Sequence, residues 1–183
     1  MGETIRPLAR PALPSYARCM RIIGIDPGLA IVGIGVVEAE SVHAIRPIEW
    51  LTIETKAGTS TPDRLREIHD DLAALIEDTE PDLAVVERLF FESNVKTAID
   101  VAQSRGVILL TLAQRGVPVI EPSPLQLKSA ITGDGRAEKR QVQEMLMRML
   151  QLTSVPKPDD AADALALAVY GAIAMPKILS PKI

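Results

Sequence analysis

Four acidic residues stand out because of where they fall. Asp26 closes the apolar run 21–26 (RIIGID), and Glu87 closes a second one, Leu83-Ala84-Val85-Val86. Asp160 and Asp163 open the alanine-rich segment 160–166 (DAADALA). A carboxylate at the end of a buried strand must be paired, neutralised or bound to a metal. Arg88 is a poor partner for Glu87, because neighbouring strand residues point to opposite faces. Asp160 and Asp163 are three apart, so a helix would carry both on one face. Four acids without a histidine or cysteine cluster make an oxygen-only donor set, which selects hard cations such as Mg2+ or Mn2+. Two such ions about 4 Å apart can activate a water and stabilise the leaving oxygen of a phosphoryl displacement. Each acid also has a plainer reading. Asp-Pro-Gly at 26–28 is a good turn in its own right. Asp159, Asp160 and Asp163 sit where a helix macrodipole favours negative charge, and Asp159 is the expected cap.

The elements that must position these acids follow from periodicity. Apolar runs at 21–26, 31–38 and 45–55, joined by short turns, predict an antiparallel meander of three strands. After Ser60-Thr61-Pro62 the spacing becomes helical, with Leu65, Ile68, Leu72, Leu75 and Ile76 on one face, and Pro81 ends the helix. A buried strand at 83–87 precedes a helix at 95–115, a strand at 118–120 and a helix at 124–130. A loop at 132–135 leads to a helix at 138–152, and after Pro156 and Pro158 a last helix covers 159–175. The order βββ-α-β-α-β-α-α-α predicts an α/β fold: a mixed five-stranded sheet whose first three strands are antiparallel, flanked by helices on both faces. Ligands in such sheets gather at the carboxyl ends of strands, where Asp26 and Glu87 fall. One domain is expected over 20–175, after a flexible extension at 1–19 and before a short tail at 176–183.

Composition bounds the reading from outside. The 183 residues are 47% hydrophobic but only 3% aromatic, so Leu, Ile, Val and Ala must fill the core. The single cysteine, Cys19, excludes an intrachain disulfide. The longest strongly apolar stretch, 164–175, is shorter than the roughly 20 residues a bilayer span needs. The first 20 residues lack the apolar core of a secretory signal. A cytoplasmic protein with no membrane attachment is expected. The net charge of −4 is not the basic footprint that phosphate binding usually leaves. Acids of a metal site, however, add negative charge that bound cations neutralise.

Five segments occur in an order that is itself informative: 21–37 (RIIGIDPGLAIVGIGVV), 85–90 (VVERLF), 103–107 (QSRGV), 137–143 (AEKRQVQ) and 160–166 (DAADALA). Together they resemble the RuvC family of Holliday-junction resolvases, over about residues 20–170 without large gaps. The resemblance implies an RNase H-like fold and a homodimer with two active sites. Each would use two Mg2+ ions, with Mn2+ able to substitute. The implied reaction is the symmetric nicking of two opposed strands of four-way junction DNA in recombination and DNA repair. Carried over by motif, the catalytic and metal-binding acids are Asp26, Glu87, Asp160 and Asp163; some relatives have histidine at the third position. The family's lysines fall on Lys128 and Lys139, as DNA contacts. Its base-stacking aromatic falls on Phe90, although Phe91 beside it leaves open which of the two stacks, and Asn94 is a further polar DNA contact. The helix at 95–115 resembles the family's dimer helix. The branch-migration partners RuvA and RuvB are implied by family alone. A different RNase H-like nuclease, of the RNA-processing or transposase type, would share the early Asp and later acids, but the segments at 137–139 and 160–163 favour the resolvase.

Overall fold

The computed structural model describes residues 19–88 and 95–179, with the side chains of 95–97 and 176–179 outside the description. Residues 1–18 of the expected extension at 1–19, and the end of the tail at 180–183, therefore lie outside the described residues. The elements run β1 (Met20–Asp26), β2 (Ile31–Ser41), β3 (Ala44–Glu54), α1 (Thr61–Thr79), β4 (Leu83–Val86), α2 (Val95–Gln114), β5 (Val119–Ile120), α3 (Pro124–Thr132), α4 (Lys139–Leu150) and α5 (Asp159–Leu179). Every expected element is present. The last helix passes the expected boundary at residue 175 and takes in the first residues assigned to the tail.

The five strands form one sheet in the order β3-β2-β1-β4-β5. β1 pairs antiparallel with β2 and β2 with β3, while β4 lies parallel to both β1 and β5. This is the mixed sheet that the order of elements predicts. Side-chain alternation along the strands divides the core into two layers. Ile23, Ile25, Ile34, Val36 and Val86 face α1 and α2, where Ile68, Leu72, Ile108 and Leu112 cover them. Ile22, Val37, Leu83 and Val85 face the other way, against α5 with Leu146 and Leu150 of α4.

The same alternation governs the acids. Ile22, Gly24 and Asp26 share one face of β1, and Leu83, Val85 and Glu87 share that face of β4. The pairing of Ile25 with Val86 sets the two strand ends side by side. Asp26 and Glu87 thus emerge together, at adjacent carboxyl ends, on the face that α5 covers.

Helix α5 lies unusually close to the sheet. Gly24 and Gly35 are opposite each other in the β1–β2 ladder, and Gly33 is opposite Asp26. A methyl group on Gly24 would collide with the Ala164 carbonyl oxygen, one on Gly33 with that of Asp160, and one on Gly35 with the Leu165 backbone. The strands contribute a floor without side chains, and the helix contributes buried Ala161, Ala164 and Ala168. Gly24→Val should therefore force backbone movement and cost at least about 2 kcal/mol, the upper part of the range for overpacked cores. Urea unfolding checks this; a loss of less than about 0.5 kcal/mol would contradict the close packing of α5.

Candidate active site

Asp26, Glu87 and Asp163 line one cleft of about 280 Å3, together with Lys128, Lys139, Pro124, Leu127, Val142, Ala166 and Leu167. β1 and β4 deliver the first two acids and α5 the third. α3 and α4 form the opposite wall. Ser123 caps α3, its Oγ accepting from the Gln126 N–H at 3.2 Å while Gln126 Oε1 accepts from the Ser123 N–H at 2.8 Å. That box fixes the start of the helix and so the position of Lys128 one turn later. Lys139 is the first residue of α4.

The loops beneath the acids are tied down from neighbouring elements. Ser104 Oγ of α2 donates to the Gly28 carbonyl at 2.8 Å, and Thr55 Oγ1 donates to the Leu29 carbonyl at 2.6 Å. Arg64 Nε in turn donates to Thr55 Oγ1 at 2.7 Å. These bonds hold the Asp-Pro-Gly turn and leave Asp26 facing the cleft. Arg105 Nε donates to the Glu87 carbonyl at 3.1 Å, and its guanidinium pairs with Glu121. Arg88 is exposed, and its N–H donates to the Pro122 carbonyl at 2.9 Å. Ser104 and Arg105 belong to the recognised segment 103–107, but nothing in their spacing assigned them these supporting bonds.

Electrostatics bind the acids into one unit. Burial pushes the Asp26 carboxyl up to about 7, with further upward pushes from Asp163, Glu87 and Asp160. Glu87 is raised by burial and by Asp163, against the pull of Lys128. Asp163 is raised by burial despite its bond to Lys139. Burial alone would lower the Lys139 ammonium, but hydrogen bonds to Asp159 and Asp163 outweigh it and hold the charge on. Asp160 is half-buried and stands beside the cleft rather than lining it, yet its charge reaches Asp26 and Asp163.

One expectation needs correction. Asp159 is not a cap: it lies inside the first turn of α5, and its carboxylate accepts from Lys139 Nζ at 2.5 Å and from Gln143 Nε2 at 3.2 Å. The reason is tertiary. The start of α4 lies against the start of α5 and presents a cation there. Phe90, Phe91 and Asn94 lie outside the described residues.

The residues of the cleft fit a hard divalent cation. Its acids are oxygen donors of the type Mg2+ and Mn2+ prefer. Their mutual repulsion leaves a negative potential that has already drawn in the Lys139 ammonium, which stands where a cation is favoured. Among the described residues no three acid, histidine or cysteine side chains yet converge on a single point at ligand distance. What they share is a cleft and its field.

A mixed sheet of this order, with acids from β1, β4 and α5 meeting at its carboxyl edge, defines a nuclease of the RNase H-like class. Comparison with known proteins narrows the class. The family model for crossover junction endodeoxyribonuclease RuvC matches residues 22–171. The RuvC endonuclease of Brevibacillus brevis is 52% identical over 150 residues, covering 82% of this chain and 90% of its own. That of Chloroflexus aurantiacus is 50% identical over 159 residues, covering 87% and 96%. The structure of T. thermophilus RuvC in complex with a Holliday junction substrate superposes with a TM-score of 0.81 at 31% identity, covering 85% of this chain and 94% of that one. The chain belongs to the RuvC family of crossover junction endodeoxyribonucleases.

The raised Asp26 carboxyl carries a stability consequence. Asp26 binds its proton more tightly folded than unfolded, so it favours the folded state fully below its ordinary value of 3.8. That contribution is lost as pH rises toward about 7. In metal-free buffer, Asp26→Asn should therefore raise the melting temperature at pH 8 by about 2–8 °C, the scale of one to two kcal/mol in a chain this size. The two proteins should converge near pH 4. A gain that does not vary with pH, as read by differential scanning calorimetry, would contradict the shift.

Proposed function

We propose that this chain resolves four-way DNA junctions by symmetric, metal-dependent hydrolysis of phosphodiesters in two opposed strands, in recombination and repair. The observation that carries the reading is the meeting of Asp26, Glu87 and Asp163 in one cleft with two lysines on its far wall. The catalytic and metal-holding set is Asp26, Glu87 and Asp163, joined by Asp160 from the side. A pair of Mg2+ ions, replaceable by Mn2+, supplies when bound the Lewis-acid charge that hydrolysis needs. Lys128 and Lys139 direct fixed positive charge into the cleft, where a DNA phosphate must approach the acids. Phe90, or Phe91, stacks on a base at the opened junction centre, and Asn94 adds a polar contact.

The substrate has twofold symmetry, and two opposed cuts call for two sites related in the same way. Helix α2 supports a homodimer. Its outer face exposes Ile99 at 55% and Leu110 at 54%, with exposed Ala102, Gly106 and Ala113 at helical spacing between and beyond them. Such a stripe of small and apolar residues suits the same helix of a second copy. Among the described residues no helix is long and apolar enough to cross a membrane, and we place the protein in the cytoplasm with RuvA and RuvB as partners on the junction. Residues 20–175 make up the nuclease domain.

Incubation with a synthetic four-way junction and Mg2+ tests the reading. Wild type should give paired nicks in opposed strands and leave linear duplex and RNA uncut. Asp163→Asn should lose at least about 100-fold in cutting, the scale of losing one electrostatic catalytic group. It should still bind the junction without metal, because phosphate contacts carry most of the affinity. Leu110→Glu should sediment as a monomer and lose the pairing of cuts. Equal cutting by wild type and Asp26→Asn, or preference for duplex or RNA, would overturn the proposal.

A further inference from the structure

Among the described residues of the cleft, Lys139 is the one whose ammonium is shared between two carboxylates. Its Nζ lies 2.5 Å from Asp159 Oδ2 and 2.8 Å from Asp163 Oδ2. These acids are one turn apart on α5 and differ in surroundings. Asp163 lines the cleft and its side chain is 43% exposed, while Asp159 lies toward solvent with its side chain 65% exposed. Gln143, one turn along α4 from Lys139, donates to the second oxygen of Asp159 and so orients that carboxylate. A lysine has three N–H donors, and two are used here.

We propose that Asp159 is a positioning residue that retains Lys139 at the mouth of the cleft when Asp163 turns to a metal ion. This rests on the metal-dependent reading of the cleft. A divalent cation drawn to Asp163 would set a second positive charge beside the ammonium that lies 2.8 Å from Asp163 Oδ2, and their repulsion would weaken that bond. With Asp159 already bound on its other side, the ammonium needs only to give up one of two bonds, and it moves outward rather than away. The displaced cation stays next to the acids, at the entrance a DNA phosphate must use. Without Asp159, Lys139 would have Asp163 alone as its partner and would compete directly with the metal. Asp159 therefore reduces the competition between Lys139 and the metal and keeps a phosphate-binding charge in place, without touching either the metal or the DNA.

A double-mutant cycle on the full-length protein tests this, with Asp159→Asn, Lys139→Gln and the double variant. The first readout is a thermal-shift titration with MnCl2 and no DNA. Lys139→Gln should lower the Mn2+ midpoint, because Asp163 is released. Asp159→Asn should raise it about five-fold while Lys139 is present, the scale of one ion pair. In the Lys139→Gln background the same change should shift it less than about two-fold, the residue of a lost distant charge. Asp159→Glu should restore the wild-type midpoint. The second readout is junction affinity at saturating Mn2+, which Asp159→Asn should weaken only when Lys139 is present. An equal Asp159→Asn effect in both backgrounds would show a general charge effect and overturn the proposal, as would no effect in either. Absence of a Mn2+ shift in wild type would sink the proposal together with the metal reading. Loss of junction cleavage with the Mn2+ cycle intact would sink only the assigned reaction.

Discussion

The site depends on how closely one helix can lie on the sheet. Where β1 and β2 carry Gly24, Gly33 and Gly35, the backbone of α5 rests directly on them. With ordinary side chains there, the helix would stand farther off, as helices on sheets usually do. Asp160 and Asp163 would then be carried away from Asp26. The alanines of α5 are the complement of those glycines, since small residues on both sides allow backbone-to-backbone approach. The distance between the helix acid and the strand acids is thus set by absent atoms rather than by a particular bond.

Bringing the acids so close has a cost, and the structure shows how it is met. Burial and mutual repulsion push the Asp26 carboxyl up to about 7, and they raise Glu87 and Asp163 as well. A cleft in this state stabilises added positive charge. Lys139 supplies some of it, through bonds to Asp159 and Asp163. The same field would favour a hard divalent cation, and on the proposed reading the same lysine would then become available for an anionic substrate. Metal holding and phosphate binding would be coupled, because both draw on one set of charges.

Much of this was legible in the residues. Strand and helix periodicity placed every element, and the two-residue alternation implied that Asp26 and Glu87 could share a face once their strands were neighbours. The bonds that support the site were not legible, since they join residues far apart in the chain. Ser104 reaches Gly28, Arg105 reaches Glu87, and Lys139 reaches Asp159 across 20 positions. Asp159 was misread as a cap because helix-end rules describe one helix at a time, and here a second helix brings a cation to the same place. Isolated glycines in a strand do signal close approach of another backbone. Gly24, Gly33 and Gly35 carried that signal, but not the identity of the helix that answers it.

We propose that α5 brings Asp163 to Asp26 and Glu87 to form a single cation site. Anomalous diffraction from crystals soaked in MnCl2 tests it most directly. Manganese density is expected in the cleft, within ligand distance of Asp26, Glu87 and Asp163, with Lys139 withdrawn from Asp163. Manganese bound elsewhere, or a cleft in which Lys139 still bridges Asp159 and Asp163 at saturating Mn2+, would contradict it.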